Sequence, residues 1–359
     1  MILVANISRF NTVKVRTKKR PVYLAFFCFS VLFLSVACSD QREAKSPLII
    51  IQGSTMGTTF SVKAVVGTNT HLTEAFLSKE INTTLNAFNQ SMSTYIVDSE
   101  LSLLNQAPVG EWLDVSDLLL NVLVMSGKVY RESSGAFDVT IGPLVNRWGF
   151  GPVEVEYAPN QEEIDRLLAK VGFDSLEFLE SKIRKRKHVY IDLSAVAKGH
   201  ATDVVANVLT SLGIDDYMVE IGGELKIKGV NAKGVMWTIG VEKPTLGRSG
   251  AVQAVRGNDI AIATSGDYRN YLEQEGKRIS HTIDPKTGRP IEHRLASVTV
   301  ITDSGGLADA YATAINVLGP IKGKDIAEQL GLAAYFLVRD GDGFRIDMTE
   351  KFKQYMVDL

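Results

Sequence analysis

Between residue 48 and residue 359 the apolar residues keep changing their period. Residues 48–51, 58–66 and 295–302 are rich in β-branched side chains and read as strands. Residues 72–92 repeat instead at helical spacing, through Leu72, Phe76, Ile81, Leu85 and Phe88. The two kinds of segment mix without the strand–helix–strand beat of a doubly wound parallel sheet, which predicts an α+β domain.

No covalent cross-link holds that domain. Cys28 and Cys38 both precede it, and no cysteine follows. This excludes an internal disulfide, a cysteine zinc site and a cysteine nucleophile. A chain of 359 residues, 45% of them hydrophobic, is large enough to be held by core packing. A formal net charge of −2 supplies no basic field, so nucleic acid is not an expected partner.

The N-terminus reads as an address. Lys14, Arg16, Lys18, Lys19 and Arg20 precede an apolar run over residues 22–37, short for a spanning helix and right for a signal segment. It ends in Leu34-Ser35-Val36-Ala37-Cys38, small residues before a cysteine as in bacterial lipoproteins, with Leu34 one place further from Cys38 than usual. The expected layout is a lipoprotein signal over residues 1–38, a polar tether over 39–47 and one domain over 48–359. The chain would be exported, facing the periplasm, and lipid-anchored to a membrane. An uncleaved signal anchor is the alternative.

Within the domain, residues 53–57 read as a break between strands and Asp98-Ser99-Glu100 as the start of a short helix. A helix over 116–133 has Ser116 as cap and Gly135 beyond its end; another opens at Asn160 and runs to about 171. Residues 142–157 read as a long loop, and 176–192 as a hairpin with a basic turn over 182–187. A helix covers 195–212. Residues 217–230, 235–243 and 252–264 read as three strands, and 278–283 as a fourth before a Pro-Lys-Thr-Gly turn. Residues 306–318 form a helix and 333–348 a hairpin.

Six segments carry candidate chemistry. Gly53-Ser54-Thr55-Met56-Gly57 allows backbone to approach a ligand, or makes a plain turn. Tyr95 follows Met92-Ser93-Thr94 and offers a ring for stacking, or a place in the core or on the surface. Asp138, in Gly135-Ala136-Phe137-Asp138-Val139-Thr140, is a carboxylate in an apolar stretch and needs a structural or a ligand partner. Lys198-Gly199 stands where a strand gives way to a helix, a setting that suits phosphate without being a Walker loop. His281, flanked by Ser280 and Thr282 with Asp284 beyond, is the best general base in the chain. Asp309 and Thr313 share a helix face and present two hard oxygens that suit Mg²⁺, or a tight packing face.

Together these segments resemble the ApbE family of FAD:protein FMN transferases. The resemblance includes Thr55-Met56-Gly57-Thr58, Ala197-Lys198-Gly199, Glu220-Ile221-Gly222-Gly223-Glu224, Thr264-Ser265-Gly266-Asp267-Tyr268, Ser280-His281-Thr282-Ile283-Asp284-Pro285 and Ala308-Asp309-Ala310-Tyr311-Ala312-Thr313, all in family order. It implies a T-fold-related domain with mixed or antiparallel sheets and FAD, the substrate, in a cleft. Met56 and Tyr95 would flank the flavin. Ala136, Phe137 and Asp138 would line the site, Lys198 would contact the nucleotide, and Thr282 and Ile283 would lie beside FAD. The backbone oxygen of Ala197 with Asp309 and Thr313 would hold Mg²⁺, and His281 or Asp284 would take the acceptor's proton. The implied reaction cleaves FAD, attaches FMN to a threonine hydroxyl of an acceptor flavoprotein, such as an exported subunit of a redox-driven ion pump, and releases AMP. An FAD pyrophosphatase and a non-catalytic flavin-binding lipoprotein are the alternatives.

Overall fold

The computed structural model describes residues 47–67, 71–151, 155, 157–242, 250–266, 271–274 and 277–358. The lipoprotein signal, all of the tether but Pro47, and Asp267-Tyr268 lie outside the described residues. Among the described residues no helix is long and apolar enough to cross a membrane.

In chain order the elements begin with β1 (Leu48–Thr55), β2 (Thr58–Val65), α1 (Glu74–Met92), α2 (Glu100–Gln106), β3 (Leu113–Asp114) and α3 (Asp117–Glu132). There follow α4 (Gly142–Arg147), α5 (Gln161–Leu168), β4 (Leu176–Leu179), β5 (Lys182–Lys185) and α6 (Ala197–Ser211). Then come β6 (Tyr217–Ile221), β7 (Glu224–Lys228), β8 (Thr238–Glu242), β9 (Ala251–Arg256), β10 (Ile260–Gly266), β11 (Tyr271–Gln274) and β12 (Lys277–Ser280). The chain closes with β13 (Leu295–Thr302), α7 (Gly305–Gln329), β14 (Ala333–Asp340), β15 (Gly343–Met348) and β16 (Met356–Val357).

Eight strands form the main sheet in the order β1-β2-β6-β7-β10-β13-β14-β15, and every neighbouring pair is antiparallel. The α+β expectation holds, with antiparallel rather than mixed sheets among the described residues. Both faces of the main sheet are covered. Phe60, Val62, Val219, Val298, Val300 and Phe336 pack into the core built with α1, α3, α6 and α7. Met218, Ile227, Ile262, Ile301 and Tyr335 face the other way, against Trp237, Ile239 and Val241 around β8. Alternate residues thus face opposite sides of a covered sheet, which is why β13 is buried from Leu295 to Ile301. Ala261 and Ala263 of β10 meet Ala308 of α7, and three methyl-sized side chains let helix and sheet approach closely.

Helix starts follow the sequence. Ser99, Ser116 and Ser304 each accept a hydrogen bond from an amide of the first turn, and Asn160 and Glu163 form a reciprocal capping box. Other expectations are corrected. β1 runs through Gly53 to Thr55, and a two-residue turn with positive φ at Met56 and Gly57 replaces the wider break. Residues 142–147, expected as loop, form α4, because Pro143 is tolerated in a first helical turn. The basic run is not the turn of its hairpin: Lys182–Lys185 is strand β5, and Glu180 carries the turn. Residues 217–230 fold back as a hairpin at Gly222-Gly223, and residues 252–264 divide near Asp259 into β9 and β10, which belong to different sheets; Gly222, Gly223 and Asp259 have positive φ. The helix opening near 306 does not stop at 318; it kinks at Gly319-Pro320 and continues to Gln329.

Candidate active site

Between the main sheet, β8 and the first turns of α6 and α7 lies a cavity of about 1110 Å³. That is slightly above the roughly 300–1,000 Å³ of ordinary small-molecule sites. Its walls come from distant parts of the chain. Met56 and Gly57 enter from the β1–β2 turn, Tyr95 from the end of α1, Ala136 to Asp138 from the segment after α3, and Lys198 from α6. Glu224 enters from β7, His281 to Ile283 from the segment after β12, and Asp309 and Thr313 from α7.

Each wall is fixed locally. Asn89 of α1 donates its side-chain amide to Thr55 Oγ1 at 3.1 Å and pins the Met56 turn. Tyr95, 68% exposed at the mouth, is carried by a loop whose carbonyls are held by hydroxyls: Ser99 Oγ donates to Ser93 O at 2.6 Å and Ser102 Oγ to Ile96 O at 2.7 Å. Glu100 accepts from Ser91 Oγ at 2.7 Å and from Ser116 Oγ at 2.6 Å, tying this loop to α3. The Asp98-Ser99-Glu100-Leu101-Ser102 segment is therefore the scaffold of Tyr95.

Asp138 is buried and satisfied by the protein. Oδ1 accepts from Thr140 N at 2.8 Å and Thr140 Oγ1 at 2.6 Å, and Oδ2 from Phe173 N at 3.1 Å. Burial pushes its carboxyl pKa up, with these hydrogen bonds opposing. Of the two partners open to it on sequence, the structural one is present.

The charged centre lies between α6, β7 and α7. Lys198 Nζ donates to Glu224 Oε1 at 2.9 Å and sits 3.8 Å from Asp309 Oδ2. Glu224 and Asp309 are each 5% exposed. Burial works to lower the Lys198 pKa, but the Asp309 and Glu224 carboxylates outweigh it and hold it above the usual lysine range. Burial raises the Glu224 pKa to about 7, with Lys198 opposing. The two helices clasp each other here. Asp309 Oδ2 accepts from Gly199 N at 3.0 Å, while Asp203 of α6 accepts from Ser304 Oγ at 2.8 Å and Gly305 N at 2.7 Å at the start of α7.

The hydrogen bond from Gly199 moves the open carbonyl. A regular helix would send the Gly199 N–H to Ala195 O, but it goes to Asp309, while Val196 O accepts from His200 N. Ala197 is the first residue of α6, so its carbonyl enters the helical ladder. The Ala195 carbonyl is thereby left without the amide that a regular helix would give it.

Thr282 and Ile283 are buried in the cavity wall; Thr282 Oγ1 accepts from the side-chain amide of Asn316 at 3.3 Å. His281 is half-buried, with its ring edge-on to Phe150 at 6.3 Å. Asp284 does not join them. Its carboxylate accepts from Lys286 N at 2.8 Å inside the turn, and it is not part of the cavity wall. The remaining expected residues, twelve positions including Ala197, do line the cavity.

The order and spacing of these wall residues match a known family along most of the domain. The profile of the ApbE family matches residues 56–336. The chain belongs to the ApbE family. A FAD:protein FMN transferase of Vibrio cholerae is 41% identical over 327 residues, 90% of this chain and 96% of the relative. Another from Escherichia coli K12 is 40% identical over 86% of this chain and 89% of the relative. The solved flavin transferase ApbE from Vibrio cholerae superposes with a TM-score of 0.80 over 86% of this chain and 99% of its own. A flavinyl transferase ApbE of Pseudomonas stutzeri, in its apo form, also scores 0.80 at 38% identity. Membership makes this ApbE-family chain an enzyme of the transferase class.

Two residues of this ApbE-family site were not singled out from sequence. Ala195 has no side-chain signal. Glu224 had one: an acid directly after a glycine pair, opening the alternating strand Glu224–Lys228 in which Leu225 and Ile227 are buried.

Proposed function

We propose that the protein is a Mg²⁺-dependent FAD:protein FMN transferase that joins FMN through a phosphoester to a threonine hydroxyl of an acceptor protein and releases AMP. The observation that carries this reading is the meeting of Lys198, Glu224, Asp309 and Thr313 in a cavity otherwise walled mainly by apolar side chains and backbone. A flat apolar ring system and a pyrophosphate need those two environments side by side.

The residues suit a hard divalent cation. The oxygens of Asp309 and Thr313 in the cavity wall make a set of few protein ligands, as Mg²⁺ prefers. Asp309, Thr313 and the Ala195 carbonyl would hold it. Glu224 Oε2, buried and without a hydrogen-bond partner among the described residues, adds to the negative potential there. When bound, the cation neutralises pyrophosphate charge and polarises the bond to be broken.

The chain's own groups do the rest. Lys198 places a fixed positive charge beside the phosphates. Tyr95 covers the mouth and Met56 the inner wall, positions that suit the two sides of a flavin ring. His281 is the group positioned to take the proton from the acceptor hydroxyl as oxygen attacks the FMN-side phosphorus; the phosphorus–oxygen bond to AMP breaks, and AMP leaves with the electron pair. With Asp284 held in its turn, His281 carries the proton-transfer role alone. The leader ending at Cys38 supports export and lipid anchoring, with exported flavoprotein subunits of redox-driven ion pumps as acceptors.

The test uses purified protein, FAD, Mg²⁺ and a threonine-containing acceptor domain. The reading expects in-gel flavin fluorescence and an acceptor mass gain of one FMN, both lost with EDTA and in Asp309→Ala. Steady AMP release without labelling would replace it with a hydrolase, and intact bound FAD with a carrier.

A further inference from the structure

We propose that Glu224 restrains Lys198, holding its ammonium off Asp309 so that Asp309 stays open to a divalent cation. The inference rests on the metal-assisted reading above and adds a residue to it that is not itself a ligand.

The geometry is unequal on the two sides of the ammonium. Nζ is at hydrogen-bond distance from Glu224 Oε1, 2.9 Å, but 3.8 Å from Asp309 Oδ2. The stem of Lys198 reaches Glu224 across the glycine turn: a β-carbon on Gly222 would lie 3.0 Å from Lys198 Cδ. Gly222 and Gly223 have φ of 61° and 104°, and Ile221 pairs with Glu224 across them, so the acid is fixed at the first position of β7. Its Oε2 remains buried without a hydrogen-bond partner among the described residues.

Without the Glu224 charge, Asp309 becomes the only carboxylate among the described residues paired with that ammonium, and the lysine closes onto it. A tethered cation on Asp309 competes directly with a free one. With the charge in place, the ammonium has a nearer anion and the competition is relieved. The same loss of charge would also weaken the general field for cations, and the two effects separate in a double-mutant cycle. The restraint acts only through Lys198, whereas the field acts whether Lys198 is present or not.

The test measures Mn²⁺ binding by titration calorimetry and by the loss of the free-ion electron-paramagnetic signal, without FAD. Glu224→Gln is expected to weaken binding about tenfold, Lys198→Met to tighten it, and Glu224→Gln to cause a clearly smaller loss in the Lys198→Met background, where only the field remains. Wild-type affinity in Glu224→Gln, or an equal loss in both backgrounds, overturns the proposal while leaving the metal site standing. A wild-type protein that binds no divalent cation would sink the metal-assisted reading and the restraint together. Should Glu224→Gln fail to fold, Glu224→Asp, whose shorter carboxylate keeps the charge but draws back from Lys198 Nζ, replaces it in both backgrounds: a loss confined to the background that keeps Lys198 supports the restraint, and an equal loss in both, or none, refutes it.

Discussion

Gly199 and Gly305 meet backbone to backbone where α6 and α7 begin. A β-carbon on Gly199 would lie 2.1 Å from Gly305 O, and one on Gly305 would lie 2.3 Å from Gly199 O. Neither position has room for a methyl group unless the helices part, and parting them moves Asp309 away from the Gly199 amide. Gly199→Ala is expected to destabilise the fold by about 1–3 kcal/mol and to abolish divalent-ion binding. Urea unfolding and Mn²⁺ titration check both; a wild-type midpoint would show that the contact is slack.

Asp138 predicts a different pattern. Its carboxylate takes three donors from Thr140 and Phe173, two of them backbone amides in buried positions. Asp138→Ala leaves those amides unpaired and should cost about 2–4 kcal/mol. Asp138→Asn turns one acceptor into a donor facing an N–H and should recover only part of the loss. If FAD binding fell in Asp138→Asn while the unfolding midpoint stayed put, the aspartate would be a ligand contact rather than a structural one.

What the sequence shows and what it hides divide on physical lines. Caps and helix starts are local, so Ser116, Asn160 and Gly135 are readable from a few neighbours. Strand β13 is readable because its last five residues, Val298 to Thr302, are all β-branched. The breaks at Gly222-Gly223 and at Arg256-Gly257-Asn258-Asp259 carry glycine and polar residues, but each is short and has β-branched residues on both sides, so the flanking strands merge into one longer run. Pairing partners far along the chain decide where such a run divides. The site divides in the same way. Met56, Tyr95, His281, Asp309 and Thr313 carry chemistry in their side chains and reach the cavity. Asp284 carries a carboxylate that its own turn consumes, and Ala195 offers only a carbonyl that Gly199 leaves unused.

His200 supplies a pH test. Its ring lies 5.8 Å from Phe88, and both nitrogens are buried without hydrogen-bond partners among the described residues. This apolar setting differs from the polar one its sequence neighbours suggest. Burial lowers its pKa from 6.5, with the Asp203 carboxylate opposing. The unfolded chain therefore binds the proton more readily than the native one. The stabilisation from a neutral His200 is present above pH 6.5 and is lost as pH falls through the depressed native value. His200→Leu should flatten that acid limb and leave stability at pH 8 equal to wild type or higher by about 1 kcal/mol. Urea unfolding at several pH values reads it directly; an unchanged slope contradicts it.

Tyr95 should act on ligand alone. It is 68% exposed and its loop is held by other side chains, so Tyr95→Ala should leave the melting temperature within about 2 °C of wild type. Loss of a stacking face at the mouth should weaken FAD binding about tenfold. Flavin fluorescence quenching measures the affinity; an unchanged value would remove Tyr95 from the flavin site.

The sheet that carries the cavity is sewn from distant parts of the chain: Phe60 pairs with Ile221, Ala261 with Thr302, and Val300 with Ala334. Such pairings close long loops before they are rewarded, so folding should be slow, on the order of milliseconds to seconds or longer. The binding cavity then has no partial form. It appears in the last step, when the ends of the sheet have found each other, and a truncated or nicked chain should show helices by circular dichroism yet retain no flavin.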